Sequence, residues 1–384
     1  MSFIRSRVLA EAFRSTFDAR GTLAAGALLV LLTAGLLARA ALAAPPYNLY
    51  FGDLHTHTGY SDGVGTPWDA YAAAIAAGAD FLATTEHDSY GYWISQEEWE
   101  DNLAAAEFYT SRSFVAMAGY EFWLAGSGEI NVFNVLDFPP LPADPEQRPT
   151  PGSEGSPDEV LPAFYDWLSA QPGASGQWNH PTYVSHEFRQ FDFRNEQRDL
   201  GMNLIEVWND SWFYTEESYV KALDAGWHVM PTANADNHTA DWISGLPQRT
   251  VLLARRLTPE DLYAAMAAQR GYATVDPNLR IYYTLDRQVM GSTLSPADSY
   301  QAHISVEDPD GLAITLVEIL TDGGELAASL EADSASVEWS PTLASGTSRY
   351  YYVRVTAESN EASVLPRSLE GAITAVTAPV WTGR

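Results

Sequence analysis

The chain has 384 residues, 46% of them hydrophobic, which is enough for a sizeable core and more than one domain. Its formal net charge of −29 disfavours contact with the phosphate backbone of nucleic acids and with anionic lipid surfaces. There is no cysteine, so disulfides, thiolate metal sites and cysteine nucleophiles are excluded. Any metal ion must therefore be bound by His, Asp, Glu, the backbone or water.

The first 44 residues have the features of a targeting segment. Four arginines precede the apolar run Gly21–Leu37, and the triplet Ala41, Leu42 and Ala43 has the form of a cleavage site. This pattern predicts a signal peptide and export to the periplasm or the cell exterior. The apolar run also approaches the ~18–20 residues that span a bilayer, so an uncleaved N-terminal anchor is the alternative. Beyond this segment we expect no stable membrane contact.

Alternating strand-like and helix-like segments begin at Tyr47 and end near residue 285. Strand-like runs lie at 47–55, 79–87, 113–122, 130–136, 175–181, 203–210 and 228–238. Helix-like runs lie at 66–78, 95–109, 157–171, 216–226 and 258–271, with Ser95 and Thr258 as predicted N-caps. Repeating β-α units predict a parallel sheet, closed or open. Residues 137–160, rich in Pro, Gly, Ser and acidic residues, predict a long surface loop.

The pattern changes near residue 285. Short strand-like runs separated by Gly, Pro, Asp and Ser follow, without helical periodicity, and this is typical of a small β-sandwich. We therefore predict three regions: a signal peptide or anchor at 1–44, an α/β domain at 45–285 and an all-β domain at 286–384. The last of these either packs on the α/β domain or binds an unknown partner.

Metal-capable side chains recur where strand-like runs end. His55 and His57 are two apart on the first run, so both side chains point the same way, although this pair alone is equally typical of surface or core histidines. Later runs end in His87, Glu121, His180, Asp236 and His238. The carboxyl ends of parallel strands converge, so we expect these residues to meet, with Asp62 in reach from its loop. Mixed imidazole and carboxylate ligands suit Zn, Mn or Fe, and buried, hydrogen-bonded polar residues are the alternative.

Several motifs resemble those of the PHP (polymerase and histidinol phosphatase) metallohydrolases. They are DLHTHTGYSDG, TEHD, GYE, NHP and NADNH, and together with GSTL and a β-rich tail ending in APVW their order is similar to the CehA/McbA-type branch. The resemblance covers roughly residues 48–384. It implies a distorted (β/α)7 barrel, followed here by an Ig-like sandwich, and a site for two or three divalent ions.

The resemblance also implies which residues bind these ions. The expected ligands are His55, His57, Asp236 and Glu121 for the first ion, Glu121 and His180 for the second, and Asp62, His87 and His238 for a third that is not always present. The sequence departs from the family pattern at Glu129, which occupies a position where members of the family have histidine. A carboxylate can also bind a metal ion, but it adds negative charge to the second position.

These features predict an exported hydrolase in which a metal-bound hydroxide attacks a small phosphoester substrate. A carboxyl ester or carbamate hydrolase that uses the same ions is the alternative, and a non-catalytic binding protein is a third. Asp88 and Glu206 are predicted to orient a ligand or to move a proton.

Other residues near the motifs have two interpretations. Arg189, Arg194 and Arg249 either clamp an anionic substrate or form ordinary ion pairs. His186 either covers the site or lies at the surface. A set of aromatic residues either rims the pocket or packs in the core, namely Tyr60, Trp68, Tyr90, Tyr92, Trp93, Trp123, Trp178, Trp208 and Trp212.

Overall fold

The computed structural model describes residues 47–88, 94–124, 127–136, 157–181, 188–210, 213–344, 346–358 and 373–383. The predicted targeting segment at 1–44, most of the predicted loop at 137–160, and His186 lie outside these residues. No helix among the described residues combines the length and the apolarity needed to cross a bilayer.

The helices are short, and four of them begin at a Ser or Thr cap, namely Thr66, Ser95, Thr215 and Thr258. They are α1 (Pro67–Ala76), α2 (Gln96–Tyr109), α3 (Pro157–Ser169), α4 (Phe188–Phe191), α5 (Glu216–Asp224) and α6 (Pro259–Ala267). Ser95 caps α2 in a capping box with Glu98, and Thr258 caps α6, both as predicted. All four residues of α4 have positive φ, so this segment is a left-handed turn rather than an ordinary helix.

The strands of the first part of the chain form a mixed sheet. They are β1 (Asn48–Asp53), β2 (Phe81–His87), β3 (Val115–Leu124), β4 (Gly128–Phe133), β5 (Ser175–Trp178), β6 (Met202–Asn209), β7 (Phe213–Tyr214), β8 (Met230–Asn234), β9 (Arg249–Ala254) and β10 (Gly271–Thr274). β1, β2 and β3 pair in parallel, as do β5, β6 and β8, but β4 is antiparallel to both β3 and β5. β9 is also antiparallel to β1 and β10, and β7 is antiparallel to β6, so the expected parallel sheet is wrong at β4, β7, β9 and β10. Three residues join β3 to β4, and a parallel crossover needs about a dozen or more.

The carboxyl ends of β1 and β8 lie side by side. The backbone N–H of His57 donates to the carbonyl of Asn237 at 2.8 Å, and Thr56 forms a parallel bridge with Asn237. The N–H of Leu54 donates to Oδ1 of Asn234 at 2.9 Å. Segments about 180 residues apart in the chain are therefore held together directly beneath the predicted ligands.

The later strands extend the large sheet and add a second one. They are β11 (Arg280–Leu285), β12 (Gln288–Val289), β13 (Ser299–Glu307), β14 (Ile314–Thr321), β15 (Glu325–Ser334), β16 (Ser336–Trp339), β17 (Thr342–Ala344), β18 (Tyr350–Ala357), β19 (Ala375–Thr377) and β20 (Val380–Trp381). β19 pairs with β10, so β14, β15, β18 and β19 continue the large sheet. A separate sheet consists of β11, β12, β13, β16 and β17. The fold is mixed α/β, as predicted, and the division at residue 285 stays a prediction.

The large sheet is covered on both faces. Along β3, Val115 and Met117 belong to one hydrophobic cluster, while Ala116, Ala118 and Tyr120 belong to another. This alternation follows from the two-residue period of a strand, which sends successive side chains to opposite faces. The strand is therefore rigidly packed, and a polar residue at its carboxyl end has a fixed direction.

Candidate metal centre

His55 and His57 lie just after β1 rather than within it, because the strand ends at Asp53. The Asp53 carboxylate accepts hydrogen bonds from the N–H of His55 at 2.9 Å and of Ala235 at 3.0 Å. Both histidines are fully buried. Asp53 thus fixes the start of two ligand-bearing segments, those that follow β1 and β8.

The strand register of β2, β3 and β4 places His87, Glu121 and Glu129 on one face of the sheet. His87, the last residue of β2, is level with Glu121 of β3. Across the β3–β4 hairpin, Trp123 is opposite Glu129, so Glu121 and Glu129 project to the same side. β3 continues to Leu124, so Glu121 lies inside the strand and not at its end as predicted.

The remaining candidates follow β5 and β8 in unusual backbone conformations. His180 has φ of 28° and Asp236 has φ of 48°, and non-glycine residues seldom adopt this left-handed region. The N–H of His180 is held by Oε2 of Glu206 at 2.8 Å. Such strain persists where surrounding contacts fix it, and it concentrates at functional sites.

One group of ligand atoms, from His55, His57 and Asp236, has the spacing of a metal site. Asp236 Oδ1 is 3.0 Å from His57 Nε2 and 3.3 Å from His55 Nε2, and Glu121 Oε2 is 3.3 Å from both nitrogens. Ligands about 2.0–2.1 Å from a tetrahedral zinc ion stand about 3.3 Å apart. Asp236 Oδ1 is buried and accepts no hydrogen bond from any described residue. The ligand atoms of His55, His57 and Asp236 lie within 4.8 Å of one another, so these three residues fit a divalent ion, and Glu121 Oε2 lies beside both imidazoles.

Glu121 connects this group to a second one. Its Oε2 lies 3.1 Å from His87 Nδ1, and its Oε1 lies 3.6 Å from His180 Nε2. Glu129 Oε2 is 3.3 Å from the same His180 nitrogen, and ligand atoms of His87, Glu121 and Glu129 lie within 4.8 Å of one another. Oε2 of Glu121 therefore faces His55, His57 and His87, and Oε1 faces His180, so this carboxylate is placed to bridge the first and second groups.

A third group surrounds Asp62. Its Oδ1 is 3.2 Å from His238 Nε2, 3.7 Å from His87 Nε2 and 3.9 Å from His57 Nδ1. His57 thus faces the first group with Nε2 and the third with Nδ1. Sequence reasoning placed His57 in the first group only, because ring orientation is not visible in a motif.

The carboxylates govern the charge of this centre. Burial lowers the pKa of His57, but Asp236 and Glu121 outweigh burial and raise it to about 10. Burial likewise raises the pKa of Asp236, but His55 and His57 hold it far below its usual range. A metal ion therefore has to displace a proton from imidazole, so binding releases protons and weakens as the pH falls.

Glu206 is buried behind the ligands and accepts hydrogen bonds on both oxygens. Oε1 receives His55 Nδ1 at 2.9 Å and the Asn234 amide at 2.8 Å. Oε2 receives the N–H of His180 at 2.8 Å and the Asn209 amide at 2.9 Å. A proton held on Nδ1 leaves Nε2 of His55 as the ligand atom, which is the arrangement that carboxylates impose on metal-bound histidines.

Sequence reasoning missed a layer of buried amides around these carboxylates. The Asn179 amide donates to Glu121 Oε1 at 2.6 Å, and that of Asn209 also reaches Asp236 Oδ2 at 3.2 Å. Asn131 accepts from Asn179 at 2.8 Å. The sequence held a signal for such amides. Asn179 precedes the predicted ligand His180 in NHP, and Asn237 lies between Asp236 and His238 in NADNH.

The other candidate residues form ion pairs or hydrogen bonds within the fold, or pack in the core. Arg189 pairs with Asp158, Arg194 pairs with Asp199, and Arg249 donates to three backbone carbonyls. Asp88 is buried beside His87, and its N–H donates to the carbonyl of Glu121 at 3.0 Å. Of the aromatic candidates, Tyr60, Trp68, Trp178 and Trp208 pack in or against the core, and Trp123 is half-buried on β3. The other four lie outside the described residues, namely Tyr90, Tyr92, Trp93 and Trp212. None of these side chains is among the residues that line the cavity described next.

A cavity of about 260 Å³ opens onto the ligand groups. It is lined by His87, Glu121, Glu129, His180, Asn209, Asp210, Asp236 and His238. Four of these eight residues are acidic, and none carries a permanent positive charge. The wall of the cavity therefore consists of metal-capable side chains together with Asn209 and Asp210.

We expect Glu206→Gln to weaken metal binding by about 10–100-fold, the range seen when a carboxylate that orients a histidine ligand is lost. A glutamine amide cannot accept all of these hydrogen bonds, so one donor near His55 or His180 is left unpaired. Titration calorimetry of the metal-free protein with Zn²⁺ or Mn²⁺ measures the effect. Glu196→Gln, at an exposed glutamate, is the control. Equal affinities in the two variants would contradict this role of Glu206.

No protein-family model and no curated protein matches the chain. Among solved structures, it is similar to a two-domain protein from Bacteroides vulgatus that contains a predicted PHP-like metal-dependent phosphoesterase. This match has 16% identity and a TM-score of 0.47 and covers 87% of this chain and 96% of that one. A proposed metal-dependent phosphoesterase from Bifidobacterium adolescentis shows 16% identity and a TM-score of 0.34 over 57% of this chain and 96% of that one.

An amidohydrolase from Chromobacterium violaceum is also similar, with 18% identity and a TM-score of 0.33 over 49% of this chain and 87% of that one. All three TM-scores are below 0.5. We therefore base the function on the geometry of the ligand groups and not on these likenesses.

Proposed function

We propose that the protein is a metal-dependent hydrolase of phosphoesters. The observation that carries this proposal is the carboxylate of Glu121, which faces ligand groups on both of its oxygens at the bottom of a cavity. A bridging carboxylate between imidazole-rich groups is an arrangement that holds two divalent ions close together. Zn, Mn and Fe are the ions that such ligands prefer.

Bound divalent ions would polarise the substrate and supply a nucleophilic water whose pKa is near 7. The residues of the chain position and protect that chemistry. Glu206 orients His55, and the carbonyl of Asp236 lies 2.8 Å from Nδ1 of His238, which leaves Nε2 of His238 facing Asp62. Burial of His55, His57 and Glu121 excludes bulk water from the bottom of the cavity, so electrostatic interactions there are strong.

Hydrolysis of a carboxyl ester or carbamate is the second candidate. It is favoured by the cavity lining, in which no described residue is an arginine or a lysine that would bind a phosphate directly. The same ligand groups would serve this reaction.

The fold family, the number of ions, export and the role of the last domain are also proposals. The motif series supports a PHP-type barrel of the CehA/McbA-type branch, with two or three ions, and the contact between the ends of β1 and β8 is compatible with a closed barrel. The arginines and apolar run of residues 1–44 support export. The strands after residue 285 are proposed to form an Ig-like domain that packs on the barrel or binds an unknown partner.

The experiment is a parallel assay of protein reconstituted with Zn²⁺, Mn²⁺ or Fe²⁺ on aryl phosphates, phosphodiesters and aryl esters. We expect turnover of at least one phosphoester, loss of that activity in EDTA, and recovery when the ion is restored. Turnover of aryl esters alone would favour the second candidate. Fewer than one bound ion per chain, or no turnover with ions bound, would contradict a hydrolase and favour a binding protein.

A further inference from the structure

Glu86 is a buried carboxylate beside the metal centre that belongs to none of the three ligand groups formed by described residues. It is the penultimate residue of β2 and directly precedes the ligand candidate His87. Its described hydrogen-bond partners, Thr58 and Ser61, are both uncharged. Burying a carboxylate without a cation is costly, so Glu86 has to contribute something that an apolar residue could not.

The described hydrogen bonds of Glu86 all go to one short loop, residues 58–63, which follows His57. The N–H of Thr58 lies 3.1 Å from both carboxylate oxygens, and the hydroxyl of Thr58 donates to Oε1 at 2.7 Å. The hydroxyl of Ser61 donates to Oε2 at 2.6 Å. Hydrogen bonds to an ionised acceptor are roughly twice as strong as neutral ones. Glu86 therefore holds this loop firmly at two residues.

Thr58 in turn fixes the residues on either side of Asp62. Its carbonyl accepts a hydrogen bond from the N–H of Ser61 at 3.2 Å and from that of Gly63 at 2.9 Å. Asp62 thus lies between two residues that are bonded to Thr58, and Thr58 is bonded to Glu86. A side chain between two such anchored residues has few positions open to it.

The position of Asp62 matters because Asp62 is the one carboxylate in the third ligand group. Its Oδ1 lies 3.2 Å from His238 Nε2 and 3.7 Å from His87 Nε2. The same loop also reaches the third group through Ser61, whose Oγ lies 3.4 Å from Nδ1 of His57. A ligand carried by a loop depends on contacts behind it for its direction, and Glu86 supplies these contacts.

We propose that Glu86 is a positioning residue that holds Asp62 in the third ligand group through Thr58 and Ser61. Its loss should weaken the third ion and leave the ions of the first and second groups in place, because Glu86 forms no described hydrogen bond to their ligands. This inference rests on the proposed metal-dependent hydrolase.

The test is titration calorimetry of the metal-free protein with Zn²⁺ or Mn²⁺. In Glu86→Gln we expect one ion to bind about 10–100-fold more weakly and the others to bind as in the wild type. A glutamine is neutral and has a single acceptor oxygen, so it cannot accept from Thr58 and Ser61 together. Glu338→Gln is the control, since Glu338 also accepts a serine hydroxyl, that of Ser305 at 2.7 Å, but is 60% exposed.

Ser61→Ala is a milder second variant that removes one of these hydrogen bonds and leaves the Glu86 charge bonded to Thr58. We expect a smaller loss of affinity at the same ion. This variant keeps the proposal testable if Glu86→Gln does not fold. Unchanged affinity for every ion in Ser61→Ala and in any folded Glu86→Gln protein would overturn the role of Glu86.

A double-mutant cycle separates positioning from a general effect on the fold. Asp62→Asn removes the ligand itself, so adding Glu86→Gln to it should weaken metal binding no further if Glu86 acts through Asp62. Additive losses in the double variant, or equal losses at every ion in Glu86→Gln alone, would overturn the proposal. An Asp62→Asn protein that binds as many ions as the wild type, with equal affinity, would overturn it as well.

These measurements also separate the role of Glu86 from the proposed reaction. If the metal-loaded wild type hydrolyses no phosphoester and no carboxyl ester, the proposed function fails. A selective loss of one ion in Glu86→Gln, together with a non-additive cycle with Asp62→Asn, would still support the positioning of Asp62 by Glu86.

Discussion

Glu121→Gln should lower kcat/KM by at least about 100-fold and reduce the number of bound metal ions, because metal ions supply several kcal/mol of transition-state stabilisation and each 1.36 kcal/mol is tenfold in rate. Glu121 is 1% exposed, and its Oε2 lies within 3.3 Å of nitrogens of His55, His57 and His87. A glutamine is neutral and presents an N–H₂ group where one oxygen stood. It can neither bridge two cations nor offset their repulsion.

Metal content after dialysis, measured by mass spectrometry, and kcat/KM on the best phosphoester together check this prediction. Glu129→Gln provides a graded comparison. Glu129 is half-buried and its carboxylate has an ion-pair distance only to His180 among the described residues, at 3.3 Å. We expect a smaller loss there, confined to the second ion. A Glu121→Gln protein that retains the full complement of ions would show that Glu121 is not a bridge.

Arg354→Met should lower the free energy of unfolding by about 2–3 kcal/mol, less than the ~3–5 kcal/mol for a fully buried ion pair, because the Arg354 side chain is 23% exposed. Arg354 of β18 donates to Glu216 Oε2 at 2.9 Å and to Glu318 Oε2 at 2.8 Å. The two glutamate side chains are only 11% and 13% exposed. Without the guanidinium, two carboxylates remain buried next to each other with no described cation between them.

The destabilisation by Arg354→Met should extend beyond the ion pairs of Arg354. Glu216 begins α5, and its Oε1 accepts a hydrogen bond from the hydroxyl of Tyr352 at 2.7 Å. Loss of Arg354 therefore loosens the attachment of α5 to the strands after residue 285. Urea denaturation followed by tryptophan fluorescence measures the change.

Arg256→Met is the control for the stability measurement. Arg256 is 72% exposed and pairs with Asp261, so its loss should leave the free energy of unfolding nearly unchanged. If Arg354→Met were as mild as Arg256→Met, the cluster around Glu216 would not stabilise the fold. Glu216→Gln combined with Arg354→Met should be less destabilising than Arg354→Met alone, because one buried charge is then removed.

Much of the candidate site could be predicted because its residues are recognisable from short stretches of sequence. The histidines and carboxylates interrupt apolar strand-like runs at or near their carboxyl ends, and such polar residues are conspicuous in a pattern. Helix starts were visible for the same reason, since Ser95 and Glu98 form a capping box within four residues. The structure brings each of the nine ligand candidates within 4 Å of another, although Glu129 was predicted from the family resemblance rather than from these local signals.

The features that could not be predicted depend on pairing between distant segments. The antiparallel course of β4 sets the direction of Glu129, and the pairing of β10 with β19 joins residues about one hundred positions apart. Strand register decides which face each side chain occupies, and it is fixed by non-local packing rather than by local sequence. The hydrogen bonds of Glu206 likewise come from four different segments of the chain.

The sequence by itself determined the acidic, cysteine-free composition, the mixed α/β class and the identity of the residues able to bind metal ions, because these depend on residue type and short-range spacing. Only the tertiary structure decided that Glu121 faces the first and second groups and that His57 faces the first and third groups with its two nitrogens. The physical reason is that the direction of a buried side chain is set by the elements packed around it, and these come from every part of the chain.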